Sequence, residues 1–510
     1  MPRNQLFATK SLSLLLKEMT GAHRLRRVLG PVALSSLGVG AIIGAGIFVA
    51  TGAAAREYAG PSLMVSYLVA GITCVFAALC YAEFASMAPV AGSAYTYAYT
   101  TLGELAAWII GWDLILEYAV GAATVANGWS GYLQSVLANW GIVIPKAWCN
   151  GPIGYKSGLF HLTDSYINLP AIAIVTIITA VLIWGIQESA KLNAVMVFIK
   201  VTAIVFVILV GAFYINPANW RPFAPYGWTG ISFFGMPICG QTNAGGEPLG
   251  MLAGTAIIFF AYIGFDAVST HAEEAIRPQR DVPIAILASL LISTVLYVAV
   301  VAVLTGMVPS GSLSKEAGVA DAFAQRGLPW AQFIVASAGV AGITSALLVM
   351  MLSAPRVILA MARDGLLPER FFADIHPRFL TPWKSTLVLG MAIGTMAGLL
   401  PLDALLHLAN IGTLLAFVIV CAAVLVMRRT NPQATRPFRC PWSPVIPSLG
   451  IACCLLLMFS LPAANWWRLV IWLGLGLIVY FCYGYWHSHV RREREEIRKH
   501  GVSPAGMLDE

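Results

Sequence analysis

The chain has 510 residues, of which 58% are hydrophobic and only 11% are charged, with a formal net charge of +7. Soluble domains carry about 25% charged residues, so this composition excludes a water-soluble globular protein. Its apolar segments of about 20 residues are long enough to cross ~30 Å of hydrocarbon as helices. A transmembrane β-barrel would instead show alternating segments of about ten residues. We therefore predict an all-α polytopic membrane protein.

Twelve apolar segments are predicted to span the membrane, and the basic residues set their orientation. Lysine and arginine are concentrated at both ends of the chain and in the loops on the same side, which the positive-inside rule assigns to the cytoplasm. The net charge of +7 is thus a feature of topology and does not require nucleic-acid binding. The predicted spans cover roughly residues 31–55, 62–88, 103–138, 168–187, 192–215, 249–272, 283–308, 330–356, 385–401, 404–427, 445–462 and 466–487.

Two of these spans interrupt their own helical pattern. The first interruption covers residues 38–48, which contain four glycines, and the second covers residues 259–268, which contain Gly264 and Asp266. Glycine loosens a helix, and unpaired backbone at membrane depth is tolerated only where it lines a cavity or is buried in protein. Interrupted spans at matching positions of two halves indicate the substrate site of a transporter.

Ionisable residues inside predicted spans are functional candidates because their burial in a membrane is costly. Asp266 lies at the second interruption, where a carboxylate can contact a substrate cation, cap the following half-helix, or do both. Glu117 lies one turn beyond Asp113 in span 3. Substrate contact and interhelical hydrogen bonding are equally good interpretations of Glu117, whereas packing is favoured for Asp113. Glu83, near the inner end of span 2, is expected to be a solvated or packing residue.

Lys200 is the one basic residue deep inside a predicted span. It lies about nine residues, or roughly 13 Å along a helix, from the inner end of span 5 and therefore near the midplane. Snorkelling to the interface is the alternative, and this depth disfavours it. A buried lysine loses its proton readily, so we expect Lys200 to carry a proton or to take the place of a sodium ion.

The interruptions supply backbone groups of both polarities. Free N–H groups after a break bind a carboxylate, and free C=O groups before a break bind a cation. A site with an anion-binding break in span 1 and a cation-binding break in span 6 suits a zwitterion. An α-amino acid is the simplest such substrate.

The nine cysteines show no spacing typical of metal ligands. Cys149 and Cys239 fall in the two long outer loops, residues 139–167 and 216–248. If the outside is oxidising, one alternative is a disulfide that joins these loops, and the other is a pair of free thiols.

Several motifs together resemble the amino acid–polyamine–organocation (APC) superfamily, and in particular the bacterial members of its cationic amino acid transporter family. The resemblance extends over nearly the whole chain. It is carried by residues 38–49, 258–269 with Glu273 and Glu274, 111–118, 363–368, 411–416 and 436–439.

The resemblance implies a transporter of two inverted repeats of five spans, with discontinuous helices 1 and 6, that works by alternating access. The first repeat would cover residues 31–215 and the second 249–428, followed by spans 11 and 12 at 445–487. Residues 1–30 and 488–510 would be the cytoplasmic ends.

The resemblance also assigns site residues. The substrate carboxylate would meet the N–H groups of Gly44, Ala45 and Gly46, while the side chain would face Asp266 and Glu117. Lys200, with Ser345 opposite, would serve proton coupling. The substrate ammonium would meet the carbonyls of Ile42, Phe260, Ala261 and Ile263.

One departure from the family pattern bears on the substrate. Relatives usually have threonine or serine between the two glycines of the first break, where this chain has Ala45. The backbone donors are kept but a hydroxyl contact is lost. This departure leaves the choice between cationic and small neutral amino acids open, since relatives with the same acidic residues also carry small neutral ones.

The sequence as a whole predicts proton-coupled uptake of amino acids across the cell (inner or plasma) membrane, with cationic substrates favoured. Uptake of small neutral amino acids and exchange with internal amino acids or polyamines are the alternatives, and an ion channel or a non-transporting sensor is a remote one. No enzymatic activity is expected, and no cofactor beyond the proton gradient. The expected partners are the amino acid and the lipid bilayer, and the sequence does not specify protein partners.

Overall fold

The computed structural model describes residues 5–10, 27–88, 92–156, 159–233, 236–243, 246–314 and 317–492. Parts of the predicted cytoplasmic ends, residues 1–30 and 488–510, lie outside these residues. The α-helices are α1 Pro31–Ile42, α2 Thr51–Ala54, α3 Leu63–Met87, α4 Ala94–Thr101, α5 Glu104–Asn139, α6 Leu169–Trp184, α7 Ile186–Ala212, α8 Met251–Ile258, α9 Ala267–Thr270, α10 Pro278–Met307, α11 Gly318–Gln325, α12 Pro329–Arg363, α13 Glu369–Phe372, α14 Trp383–Leu399, α15 Leu402–Thr430, α16 Val445–Phe459, α17 Ala463–Val479 and α18 Tyr485–His487.

Short strands form three antiparallel hairpins in the two long loops that are predicted to lie outside. The strands are β1 Ile153–Lys156, β2 Leu159–Leu162, β3 Ile231–Phe233, β4 Met236–Cys239, β5 Gln241–Thr242 and β6 Pro248–Leu249. They pair in the order β1 with β2, β3 with β4 and β5 with β6. The rest of the described chain is dominated by helices, as predicted.

Eight helical stretches of the described residues are long and apolar enough to cross a membrane. The first, Pro31–Met87, contains the first two predicted spans in one stretch. Shorter apolar helices, α6 and α16, coincide with predicted spans 4 and 11. The all-α membrane fold is therefore confirmed, while the number of twelve spans stays a prediction.

Both predicted interruptions are present. The first helix α1 ends at Ile42, and Ile43 has a ψ of 95°, so the chain is extended there before a π-helix begins at Gly46. In the second span, α8 ends at Ile258 and is followed by a 3₁₀ turn and an unwound stretch before α9. Gly264 has a φ of +123°, a conformation that favours glycine, which explains why the second break requires this residue.

The broken helices lie inside a frame of long helices. Helix α5 packs along α12, and α10 packs against both α3 and α1, while α7 contacts α1 and α12. These contacts place α5, α7, α10 and α12 around the two interruptions. The unpaired backbone of the breaks is thus buried in protein, as membrane depth requires.

The last long helix, α17, is fastened to α5 by tryptophans. The indole N–H groups of Trp112 and Trp472 each donate to the other residue's carbonyl at 3.0 Å, and their rings stack at 4.6 Å. Trp108 donates to the carbonyl of Gly476 at 2.9 Å. Buried indoles usually require such a partner, and here the partner is always the other helix. Helix α17 is therefore joined to α5 along about one turn, from Trp472 to Gly476.

Ion pairs close the end of the bundle at which the two described ends of the chain meet. Lys10 lies 2.6 Å from Asp364, which also accepts a hydrogen bond from Tyr95 at 2.6 Å. Glu274 lies 2.7 Å from Arg356. Burial raises the pKa of Glu274, but the charge of Arg356 and the neighbouring His271 outweigh it and lower this pKa to about 2. Glu274 is therefore charged, and the ion pair is a buried one.

The outer-loop cysteines are free thiols. Cys149 is buried, whereas Cys239 is exposed at the end of β4, where its Sγ lies 3.6 Å from Thr229. The disulfide considered from the sequence is thus absent, and the alternative of two free thiols is the one that the structure shows. The two loops fold on separate hairpins and do not require a covalent link.

Glu83 is a buried packing residue and not a solvated one. Its carboxylate lies 2.6 Å from Arg428 and 3.4 Å from Arg436, and it accepts a hydrogen bond from the N–H of Cys440 at 2.7 Å. Only 1% of Glu83 is exposed. The residue thus fixes the loop after α15 against the end of α3.

We expect Glu83→Gln to destabilise the protein by about 3 kcal/mol, because it leaves the largely buried charge of Arg436 and the partly exposed charge of Arg428 without their counter-charge. Thermal unfolding of the purified protein in detergent measures the effect. Asp374→Asn is the matched control, since Asp374 pairs with Lys384 at a partly exposed surface site, where ion pairs contribute little. Equal unfolding temperatures for the two variants would contradict this prediction.

Candidate substrate site

The first break exposes backbone groups on both of its sides. The carbonyls of Gly40, Ile42 and Ile43 end α1. Beyond them, the N–H of Gly44 has no hydrogen-bond partner within the described residues. Ala45 and Gly46 begin the next helical segment, and the first N–H groups of a helix lack intrahelical acceptors. The break therefore presents acceptors at one end and donors at the other.

The second break is capped by side chains from neighbouring helices. Asn410 of α15 donates its amide to the carbonyls of Ala256 and Ile257, at 2.9 and 3.1 Å, near the end of α8. The N–H of Gly264 donates to the carboxylate of Asp266 at 3.1 Å. The second oxygen of Asp266 accepts a hydrogen bond from Tyr118 at 2.5 Å. Both oxygens of Asp266 are thus bound by the protein in this closed state.

The two breaks are packed directly on each other. A Cβ atom built on Gly46 would lie 2.3 Å from the Cα and Cβ of Ala261, and one built on Gly44 would lie 2.4 Å from the Cβ of Ala346 in α12. Ala45, Ala261 and Asp266 are each at most 1% exposed. The structure is therefore closed to solvent around the candidate site.

Lys200 of α7 binds the carbonyl end of the first break. Its ammonium donates to the carbonyls of Gly40 and Ile43, at 2.7 and 2.5 Å, and to the hydroxyl of Ser345 in α12 at 3.2 Å. The Ser345 hydroxyl in turn donates to Asn193 at 2.7 Å. Lys200 is fully buried. It therefore joins α1, α7 and α12 by contacts that need a donor on its nitrogen.

Glu117 of α5 is buried, and neither of its carboxylate oxygens makes a hydrogen bond of good geometry within the described residues, although the hydroxyl of Thr413 in α15 lies beside it. Asp113, one turn away, packs against Gly412 of α15 and also has an unpaired oxygen. The positive charge of Arg468 in α17 acts on both carboxylates. Two buried acids and one arginine thus lie beside the breaks.

Tyr297 of α10 reaches both breaks. Its hydroxyl donates to the carbonyl of Ile42 at 2.6 Å and lies 3.0 Å from the carbonyl of Ala261. These are two of the four carbonyls that the resemblance assigns to the substrate ammonium. Of the other two, Phe260 accepts from the N–H of Ile263 at 3.2 Å.

Known proteins resemble this chain over most of its length. The family described as amino acid permease matches residues 29–483. The chain belongs to the amino acid permease family, within the APC superfamily. The permease is 43% identical to the branched-chain amino acid permease BcaP of Bacillus subtilis (strain 168), over 96% of this chain and 100% of that protein. It is 41% identical to the methylthioribose transporter of the same organism, over 95% and 99%.

A human relative is named for a different substrate class. Cationic amino acid transporter 4 of Homo sapiens is 38% identical over 82% of the permease, which spans 63% of that longer protein. All three relatives are named as permeases or transporters. The permease is thus a multi-pass membrane protein that transports amino acids and is not an enzyme.

The structure brings most of the sequence-predicted site residues into one buried region. Gly46 meets Ala261 of the second break, Gly44 packs against Ala346 of α12, and Lys200 contacts Ser345. Sequence reasoning missed Tyr297, Asn410 and Arg468. The charge pattern assigns Arg468 to an outer segment. Its position inside an apolar helix could have marked it as a candidate site residue. A tyrosine or asparagine in an apolar span is indistinguishable from a packing residue without the fold.

We expect Gly46→Ala to reduce transport by the permease at least tenfold, because the added methyl group would overlap Ala261 and force the two breaks apart. Uptake into proteoliposomes, normalised to the amount of inserted protein, measures this. Gly474→Ala in α17 is the matched control, since a Cβ there meets nothing within 4 Å. Retention of full activity by Gly46→Ala would show that the breaks need not touch.

Proposed function

We propose that the permease takes up amino acids by proton-coupled alternating access across the cell (inner or plasma) membrane, with both termini in the cytoplasm. The observation that carries this proposal is the pair of breaks in contact at the centre of the bundle. They offer an unpaired N–H at Gly44 and carbonyls at Ile42 and Ala261. An α-carboxylate and an α-ammonium group match these two kinds of backbone group.

Proton coupling is assigned to Lys200. A protonated amine can hold the carbonyls of Gly40 and Ile43 together with Ser345, whereas a neutral amine has fewer donors for the same three partners. Loss of the proton therefore weakens the link between the first break and the helices α7 and α12. The proton on Lys200 therefore stabilises the state in which this link is formed more than a state in which it is broken. Such a difference in free energy is what coupling requires.

For the substrate side chain we propose a cationic group that binds at Glu117. Both oxygens of this carboxylate and the Oδ1 atom of Asn410 are buried acceptors without hydrogen bonds of good geometry in the described part of the chain. Buried acceptors are normally paired, so a donor-rich ligand is the natural complement. A lysine or arginine side chain supplies three or more N–H donors and a positive charge.

Uptake of neutral amino acids is the second candidate. Both oxygens of Asp266 already have protein partners, and Arg468 partly balances the acids of α5. In addition, the permease aligns over its whole length with a relative named for branched-chain amino acids, and over only part of the human relative named for cationic ones. The two candidate functions differ in the role of Glu117: it binds the side chain of a cationic substrate, or it serves packing between helices when the substrate is neutral.

We expect Lys200→Met to abolish proton-driven accumulation, because methionine cannot bind the carbonyls of Gly40 and Ile43 as a donor. Proteoliposomes with and without an inward proton gradient measure the effect on uptake of labelled amino acid. Lys384→Met, a change of the same kind at a partly exposed ion pair, should leave accumulation at the wild-type level. Full gradient dependence in Lys200→Met would refute the assignment.

The substrate class is tested by Glu117→Gln, with uptake of labelled arginine, lysine, alanine and leucine compared in parallel. If the side chain is cationic, the variant should lose arginine and lysine uptake at least tenfold, because a charged partner is removed. Asp113→Asn is the control, since Asp113 packs against Gly412 and should affect stability more than selectivity. Uptake of leucine or alanine without arginine by the wild-type protein would favour the second candidate.

A further inference from the structure

The hydroxyl of Tyr297 occupies a place where two breaks converge. It lies 2.6 Å from the carbonyl of Ile42 and 3.0 Å from that of Ala261, and the residue is fully buried. Ile42 belongs to the first break and Ala261 to the second. A phenol has a single O–H donor, so it holds one carbonyl fully and shares its proton with the other. No other residue described in the structure bridges these two carbonyls.

The ring of Tyr297 is held in position by two other tyrosines. Its centroid lies 5.2 Å from the ring of Tyr67 and 5.4 Å from that of Tyr262, both edge to face. The hydroxyl of Tyr262 donates to the carbonyl of Tyr67 at 2.8 Å, away from the breaks. The hydroxyl of Tyr297 is thus directed at the two break carbonyls by a rigid aromatic cluster.

Lys200 shows the same arrangement at the neighbouring carbonyls. Its ammonium binds the carbonyls of Gly40 and Ile43, which flank Ile42 in sequence. The carbonyls at the end of α1 are therefore shared between an amine on α7 and a hydroxyl on α10. Both donors come from the protein itself. In the closed state these two donors pair the carbonyls at the end of α1. Carbonyls left unpaired at membrane depth would cost free energy.

We propose that the Tyr297 hydroxyl stands in for the ammonium group of the substrate when the permease is empty, and that the substrate displaces it. The proposal rests on the proposed function, because it takes Ile42 and Ala261 as ligands of the substrate ammonium. A substrate ammonium within hydrogen-bond distance of both carbonyls would occupy the space that the Tyr297 hydroxyl fills, so the two donors exclude each other. Tyr297 is therefore a positioning residue for the empty carrier, and the loaded carrier does not need its hydroxyl.

This assignment separates two modes of transport. Net uptake requires the empty carrier to close and return, so the two carbonyls must pass through a closed state without substrate. Exchange moves a loaded carrier in both directions, so an ammonium group satisfies the carbonyls throughout. Removal of the hydroxyl should therefore slow net uptake and leave exchange intact.

The test compares wild type and Tyr297→Phe in proteoliposomes, with net uptake into empty vesicles measured beside exchange into vesicles preloaded with the same amino acid. The amino acid is the one among arginine, lysine, alanine and leucine that the wild type transports fastest. We expect net uptake to fall about tenfold, the effect of one lost buried hydrogen bond, while exchange stays within about twofold. The KM for exchange should not rise, since no contact with the substrate is lost.

Tyr262→Phe is the matched control. Tyr262 itself belongs to the second break, so its substitution can change both rates together. The substitution removes the same atom from the adjoining ring of the cluster, and this hydroxyl is bonded to Tyr67 and not to Ile42 or Ala261. The ratio of net uptake to exchange should therefore keep its wild-type value in this variant. An equal fall of that ratio in both variants would attribute the effect to the packing of the cluster and overturn the proposal.

Other results overturn the proposal directly. A parallel loss of net uptake and exchange in Tyr297→Phe, or a raised KM for exchange, would make the hydroxyl a ligand of the substrate instead. No change in either mode would show that the carbonyls need no donor. If Tyr297→Phe does not give monodisperse protein, Tyr297→Met carries the same comparison. Failure of the wild type to transport any amino acid would refute the proposed function itself, and is seen before any variant is measured.

Discussion

The fold depends on one constraint, which is that peptide groups left unpaired by the two helix breaks must find partners where no bulk water is available. The surrounding helices supply these partners one by one. Lys200 of α7 and Tyr297 of α10 bind carbonyls of the first break, and Asn410 of α15 caps the end of α8. Asp266 binds the N–H of Gly264 within the second break. The N–H of Gly44 is left over, which is why we propose it as a donor to the substrate carboxylate.

The breaks were predictable from sequence because several glycines inside a long apolar run weaken a helix locally, and a carboxylate at one of these runs marked Asp266. The partners of the breaks were not predictable to the same degree. Tyr297 contacts Ile42, which is 255 residues away, through a rotation of α10 that no local pattern specifies. The sequence alone does not decide between substrate contact and capping for Asp266, and only the position of Tyr118 shows that both oxygens are bound in the closed state.

Helix α17 lies outside the two repeats that the family resemblance implies, yet it is tied to α5 by reciprocal indole hydrogen bonds and by the charge of Arg468. Helix α5 also carries Glu117 and Tyr118, the residues beside the second break. These contacts join α17 directly to the helix that carries the acids of the site. The electrostatic balance of the site is set by residues inside and outside the repeats together, so the acids of the repeats alone do not determine the substrate class.

The ion pairs at the end where the termini meet determine how much free energy an opening of that end requires. Lys10 with Asp364, and Arg356 with Glu274, are buried in the structure, and in the proposed alternating-access cycle they become hydrated when that end opens. Because the desolvation cost of a buried pair largely cancels its Coulombic attraction, separating such pairs into water is close to balanced. A few kcal/mol at the centre then suffice to shift the population between closed and open states. In the proposed cycle, the proton on Lys200 and the donor at the carbonyls of Ile42 and Ala261 act on that scale, so contacts at the centre are strong enough to control the ion-paired end of the bundle.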